Sequence, residues 1–469
     1  MSSLFSTLSS AANSLGVFDK AIGVVQNNVT NSSTPGYAAQ KVNLVDTVLG
    51  GVAVGPIGDS RSYAAEQSVW NQNAPLGAAT AQASNLASIQ SEFDVTGQSG
   101  IPAALSKLYS AFSSFSATPS DTTVRNTVIT AAQQVVQSFD QIASRLQTAV
   151  QQVNQQVGST VSQINQLTSK VVAINVQIRH GGDSSVLQTQ LYNALQQISN
   201  LTPISVHMEL NGTATVLMNG QIPLVVGDTQ TQLQVAYPVS ASPAVSGGIP
   251  TAHINTSSGD DVTGLSTSGQ LGGLLQVRNS TLPALIGDEN QQGSINQLAQ
   301  RLADRVNSIL TAGQVSTGPP AVAGSPLFSY NASSPTYIAS SLSLDPSITA
   351  SGLAAIQPGP PAVANGTGAQ LAGLQAPSSS ADMINGMSYT DFYSGIATDV
   401  GTQAANASDA KDTRTDLLNQ ADNLRIQISG VSLDDQAAQL IQYQQAYQAS
   451  SKMISVVNEM MQTLMDMVQ

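Results

Sequence analysis

The sequence predicts a mainly α protein with a small inserted antiparallel β domain, drawn out as an elongated multi-domain rod with coiled-coil helices at its termini. Three observations predict it: a heptad seam at each end, one apolar period sustained from Val128 to Ile178, and Asn-Gly steps set between alternating segments. A chain of 469 residues exceeds one ordinary core, so several domains are expected.

At the N-terminus, Leu4, Leu8, Ala11, Leu15, Phe18, Ile22, Val25 and Val29 recur at alternating spacings of four and three. In a helix they line one strip on the order of 40 Å long. At the other end, Leu440, Tyr443, Tyr447, Ile454, Val457, Met461, Leu464 and Val468 keep the same rhythm, interrupted at Ser450. Long isolated helices are marginal in water. Each seam is therefore expected to close against the other or against neighbouring subunits, and together these residues form the candidate assembly interface.

After the first seam, Asn31 is a candidate left-handed helix stop, and Thr34-Pro35-Gly36-Tyr37 has Pro and Gly at the central positions of a type II turn. A short extended segment from Lys41 to Gly58 follows. Its glycines do not precede a helix, which argues against a phosphate-binding loop. Helical periodicity returns from Ala64 to Thr96, and Ile101-Pro102 opens a helix to Phe115. Thr118-Pro119-Ser120-Asp121 reads as a break and N-cap.

The run carrying Val128, Val135, Phe139, Leu146, Val153, Ile164, Val171 and Ile178 predicts one rod-like helix of about 85 Å. Gly181 and Gly182 stop it, and Asp183 caps a helix with Leu187, Leu191 and Leu195. From Ile204 the period becomes two, with Asn211-Gly212 and Asn219-Gly220 as hairpin signals. The insertion closes near residue 267, since helix resumes at Leu271 and runs through Leu298, Leu302, Val306 and Ile309.

Gly313 to Ser380 is rich in Pro, Gly and Ser and is either disordered or docked; Leu327, Phe328, Tyr330, Tyr337, Ile338, Leu342 and Leu344 favour docking. Tyr389 to Ser429 is helical with Leu417, Ala421, Leu424 and Ile428 as its inner stripe. Gly430 ends it, and Ser432 with Asp435 resembles a capping box. The domains expected are residues 1–58 with 430–469 (terminal coiled coil), 59–200 with 268–429 (helical rod) and 201–267 (β).

Composition narrows function. Charged residues are 9% of the chain and its formal net charge is −13, which argues against nucleic acid or an anionic membrane as partner. With no cysteine, disulfides, thiolate metal sites and cysteine nucleophiles are excluded. No basic n-region and no apolar run near the roughly 20 residues of a membrane span are present. The expectation is a soluble chain that, if exported, leaves without a cleaved signal. His180, His207 and His253 have no metal or catalytic spacing, and Asp260-Asp261 reads as a solvated turn. No enzyme, cofactor or metal site is expected.

The segment Asn27-Asn28-Val29-Thr30-Asn31-Ser32-Ser33-Thr34-Pro35-Gly36-Tyr37 resembles the motif of the bacterial flagellar rod, hook and hook-associated axial proteins, with Thr30 where Ala is usual. The family turn motif maps onto Asn28, Asn31, Thr34, Pro35, Gly36 and Tyr37. The stretch from Gly430 through Leu440-Ile-Gln-Tyr-Gln-Gln-Ala-Tyr-Gln-Ala-Ser-Ser-Lys-Met-Ile-Ser looks like the C-terminal signature of the hook-filament junction members. Long helices between these ends separate the chain from hook and rod members, which are mostly β there. The Ile309–Tyr389 stretch is too short and Pro-rich for the outer domain of larger members.

The resemblance implies a structural subunit of the flagellum, exported through the type III apparatus without a cleaved signal. It implies a ring of identical subunits at the distal end of the hook, with hook protein, the second junction protein and an export chaperone as partners. Another axial hook or rod protein, a secreted coiled-coil adhesin and a hydrolase using His207 and Asp260 are the alternatives.

Overall fold

The computed structural model describes residues 2–34, 36–46, 52–94, 96–181, 184–240, 243–245, 248–318 and 320–468. The sequence readings at Pro35, Gly182 and Asp183 lie outside them. The chain is mainly α with small antiparallel sheets and divides into two compact units: Met1–Leu76, Ile164–Thr231 and Thr413–Gln469 in the first; Gly77–Gln163 and Gln232–Asp412 in the second.

In chain order the elements are α1 (Ser2–Thr30), β1 (Gln40–Asp46), β2 (Val52–Asp59), α2 (Tyr63–Gln90), α3 (Gly100–Ala117), α4 (Thr122–Arg179) and α5 (Ser184–Leu201). Then come β3 (Ile204–Met208), β4 (Ala214–Met218), β5 (Ile222–Val226), β6 (Thr229–Gln230), β7 (Leu233–Ala236) and β8 (His253–Thr256). Helices α6 (Gly269–Gln276), α7 (Leu282–Ile286) and α8 (Ser294–Ala312) follow, then β9 (Gln314–Ser316), β10 (Val322–Ala323), β11 (Phe328–Ser329), α9 (Ile338–Ser341), β12 (Ser343–Leu344), α10 (Gly366–Gly373), α11 (Tyr389–Ser429) and α12 (Leu433–Val468).

In the first unit, β1 and β2 pair antiparallel from Gln40↔Asp59 to Asp46↔Val52, with a bulge between Val42 and Leu44. The sheet β3-β4-β5-β6 closes a core of Trp70, Val171, Ile174, Leu191, Leu195, Val206, Val216 and Val225. Alternation puts Ala214, Val216 and Met218 of β4 inside, as period two requires. Asn175 of α4 ties the helix to this sheet: its Nδ2 donates to the Ala214 and Gly227 carbonyls at 2.9 Å each, and its Oδ1 accepts from the Ala214 N–H at 2.9 Å.

The Asn-Gly steps behave differently. Asn219 and Gly220 both have positive φ, 47° and 71°, and Gln221 N–H donates to the Met218 carbonyl at 3.0 Å: a type I′ turn as expected. At Asn211-Gly212 only the glycine is left-handed. There the Asn211 side chain accepts from the Thr213 N–H and hydroxyl, stabilising a longer loop closed by Glu209 N–H to Thr213 O. Strands β7 and β8 do not extend that sheet; they form their own ribbon in the second unit.

The second unit is cored by Leu105, Leu108, Phe112 and Phe115 of α3, Phe139 and Leu146 of α4, and Leu298, Leu302 and Val306 of α8. Asp121 caps α4 through the Thr123 N–H at 2.7 Å. The Pro- and Gly-rich stretch is docked: Leu327, Phe328, Ile338 and Leu342 are buried. Asn307 of α8 holds it, accepting from the Leu327 and Phe328 N–H groups and donating to the Phe328 carbonyl, all within 2.9 Å.

In α11, Phe392, Tyr393, Ile396 and Val400 are buried. The stripe expected further along is not inner throughout: Ala421 is buried and Leu417 half-buried, but Leu424 and Ile428 are exposed. Polar contacts through Arg425 and Ser429 fasten this part of the helix instead.

Candidate functional site: the terminal helix pair and its polar node

Helix α1 packs along α12. Asn28, in the last turns of α1, donates from Nδ2 to Gln436 Oε1, near the start of α12, at 2.8 Å. The C-terminal end of one helix thus meets the N-terminal end of the other, and the pair is antiparallel.

Asn28 is fully buried and uses all its capacity. Its Nδ2 also donates to the Gln40 carbonyl at 2.9 Å, and its Oδ1 accepts from the Gln40 N–H and the Tyr37 hydroxyl at 2.8 Å each. One amide therefore joins α1, the turn, β1 and α12. Burial of a polar group costs little only when every bond is made, which fixes the geometry of all four segments.

The rest of the motif builds the turn that delivers Tyr37. Gly36 has φ +76°, and Tyr37 N–H donates to the Thr34 carbonyl at 3.1 Å, as in a type II turn. Asn31 does not supply the left-handed residue. Its Nδ2 returns to the Asn27 carbonyl at 3.0 Å and its Oδ1 accepts from the Thr34 hydroxyl at 3.2 Å, so its short amide caps the helix end from the side. Burial pushes the Tyr37 phenol pKa up, which keeps it a neutral donor to Asn28.

A second node lies beside the turn. The Arg61 side chain, almost wholly buried, pairs with Glu66 at 2.9 Å and with Asp59 at 3.4 Å, and donates to the Gly36 carbonyl at 2.8 Å. Its guanidinium lies 4.0 Å from the Tyr192 ring centroid, and Tyr192 stacks on Trp70 at 5.8 Å. The other Glu66 oxygen faces Arg425 at 3.6 Å, and Arg425 also donates to Gln196 at 3.1 Å. The Ser429 carbonyl accepts from the Ala39 N–H and the Ser60 hydroxyl. These contacts hold the turn, β2, α2, α5 and the end of α11 together.

The seam residues divide. Val25 and Val457 are buried; Leu4, Leu8, Leu15, Phe18, Ile22, Leu440, Tyr443, Tyr447, Ile454 and Met461 are half-buried; Val29 and Leu464 are exposed. The most buried line of α1 instead runs through Ala11, Val17, Ala21, Val24, Val25 and Asn28, rotated from the heptad reading. Apart from Ala11, that stripe follows large side chains, whereas close packing favours small ones near the axis. Beyond the pair, Phe5, Leu433, Ile441, Met453, Val456, Met460, Met465 and Met467 face outward. Exposed apolar area of this extent marks an interaction surface.

Sequence reading missed Gln40, Arg61, Glu66, Ser429 and Gln436. Gln436 was findable: it stands in the first turn of α12, where a buried Asn at the end of an antiparallel partner needs an acceptor. Elsewhere, Asp261 accepts from Thr263 and pairs with His253 Nδ1 at 2.7 Å, and Asp260 accepts from Ser258 at 2.7 Å. Both close a turn. Among the described residues, no group of His, Asp and Glu is placed to hold a metal ion, and no helix is long and apolar enough to cross a membrane.

A mainly α chain whose two ends are fastened to each other through the Asn and Thr-Pro-Gly-Tyr motif is of the flagellar axial class. Residues 86–328, just over half of the chain, match the family model of the flagellar hook-associated protein FlgK helical domain, and residues 425–467 match that of the flagellar basal body rod FlgEFG protein C-terminal region. The chain belongs to the FlgK hook-associated protein family, whose members are structural proteins of the flagellum.

It is 24% identical to flagellar hook-associated protein 1 of Bacillus subtilis over 98% of both chains, and 23% identical to that of Escherichia coli over 98% of this chain and 99% of the other. It is 25% identical to that of Salmonella typhimurium over 67% of this chain and 58% of the other. The solved structure of the flagellar hook junction protein FlgK from Burkholderia pseudomallei shares the fold, with a TM-score of 0.62 and 17% identity over 77% of this chain and 100% of that one.

Proposed function

We propose that this chain is a non-enzymatic subunit that leaves the cell without a cleaved signal, assembles as a ring at the distal end of the hook and joins hook to filament. The observation that carries the proposal is the antiparallel α1–α12 pair. It is locked at one end by the saturated Asn28 node, yet leaves half-buried and exposed apolar side chains along both helices. Further copies of the chain, the hook protein and the second junction protein cover those side chains, and an export chaperone shields them beforehand.

Deleting the gene leaves hooks without filaments and filament protein in the medium, and the intact chain restores filaments. Leu15→Asp or Ile454→Asp, which set a charge against an apolar partner, fail to restore them. Normal filaments in the deletion strain overturn the proposal.

A further inference from the structure

Sulfur in this chain is confined to methionine, since there is no cysteine, and it is unevenly placed. Of ten methionines, Met453, Met460, Met461, Met465 and Met467 fall in the last turns of α12. Met461 belongs to the stripe that includes Ile454 and Val457 and is half-buried. The other four are 52%, 47%, 68% and 73% exposed, while Met218 in the four-stranded sheet is fully buried.

Met453, Met460 and Met467 stand seven residues apart with Val456 between the first two, a second apolar seam adjacent in phase to the one at Ile454 and Met461. This part of α12 is apolar on two neighbouring faces, and among the described residues the face of Met453, Val456, Met460 and Met467 is exposed. A helix with that much apolar circumference is built for burial. Until it is buried, its thioethers are open to solvent.

We propose that Met453, Met460, Met465 and Met467 form an oxidation site that sets the assembly competence of the free subunit. A peroxide transfers one oxygen atom to each thioether: the O–O bond breaks, an S–O bond forms, sulfur is oxidised by two electrons to the sulfoxide, and hydrogen peroxide is reduced to water. The sulfoxide is polar and chiral where the seam needs an apolar side chain, so its burial against a neighbour leaves a dipole without a partner. Leucine at these positions keeps volume and hydrophobicity but lacks the reactive sulfur. The consequence for assembly rests on the reading of the terminal helices given above; the order of oxidation does not.

The test uses the purified full-length chain and hydrogen peroxide. Peptide mass spectrometry is expected to show a gain of about 16 Da per sulfoxide at Met453, Met460, Met465 and Met467 at least tenfold faster than at Met218. Oxidation of Met218 at the same rate overturns the proposed site. The oxidised chain is then sedimented with hooks isolated from the deletion strain. It is expected to bind at least tenfold less than untreated chain, with recovery after treatment by methionine sulfoxide reductases.

In a variant carrying Met453→Leu, Met460→Leu, Met465→Leu and Met467→Leu, binding after peroxide is expected to stay within twofold of the same variant's binding before it. Equal binding of oxidised and untreated wild type, or loss of binding by the peroxide-treated leucine variant, overturns the inference. Failure of untreated wild type to bind hooks instead overturns the function proposed above.

Discussion

Replacing Asn28 with alanine removes a side chain that is fully buried and makes four hydrogen bonds, to Gln40 N–H, Gln40 O, Gln436 and Tyr37. Gln436 and Tyr37 have rotatable side chains and recover part of their bonding by turning toward water. The Gln40 N–H and carbonyl cannot turn, and each left unsatisfied costs about 1–3 kcal/mol. Adding a small cavity term, the node loses about 3 kcal/mol, which is roughly a hundredfold in local opening. Hydrogen exchange at the Gln40 amide reads this directly and avoids assuming that a chain of two units unfolds in one step. An increase on the order of a hundredfold at Gln40, with exchange at Phe112 and Phe139 in the other unit unchanged, is the expected result. Asn28→Asp keeps the acceptor for Tyr37 and Gln40 N–H but sets a carboxylate against the Gln40 carbonyl, so it also opens the node. If Asn28→Ala changes Gln40 exchange less than threefold, the amide does not hold these segments together.

Arg61→Met leaves the Glu66 carboxylate buried with only the longer Arg425 contact and is expected to destabilise the first unit by about 3 kcal/mol; urea unfolding followed by Trp70 fluorescence measures it, and Glu66→Gln in the same chain recovers part of the loss. Gly36→Val sets a β-branched residue at φ +76° and costs about 1–2 kcal/mol of local strain, read as faster chymotrypsin cleavage after Tyr37. Burial pushes the Tyr192 phenol up to about 12, so the folded state holds its proton where an unfolded tyrosine near 10 has lost it. The stability this contributes is complete below pH 10 and disappears as pH rises toward 12; Tyr192→Phe flattens that slope in alkaline unfolding curves. Ile441→Asp, at an exposed apolar position of α12 outside the seam, leaves thermal unfolding unchanged while abolishing filament restoration, whereas Val457→Asp, at a buried position of the same helix, lowers both.

The elements legible in the sequence were those written by side-chain periodicity. The α4 run predicted a single helix, and the structure draws Thr122–Arg179 without a break. Asn219-Gly220 predicted its turn because both residues needed positive φ. Asn211-Gly212 looked the same, but Thr213 two residues on offered the Asn211 side chain a local bond, and that bond competes with the tight turn. The docking of the Pro-rich stretch was half legible: its apolar residues were visible, but the Asn307 clamp joins residues that no pattern connects.

The two nodes escaped for the same reason. A heptad count ranks residues by hydrophobicity, and Asn28 and Gln436, the polar pair that sets the register of the helix pair, score as surface. Leu424 and Ile428 erred in the opposite sense, since apolar spacing shows that a face wants cover without showing who provides it.

The Asn28–Gln436 bond spans 408 positions of sequence, and this fixes a schedule. A ribosome adding about 5–20 residues per second needs roughly 20–80 s between making one partner and the other. For that interval α1 exists with no α12 to pack on, and an amphipathic helix without its partner is marginal. The second compact unit, whose chain is complete at Asp412, has time to form first, whereas the first waits for Thr413–Gln469. The terminal pair is therefore the last join made, and the first to come undone when the chain is pulled from either end.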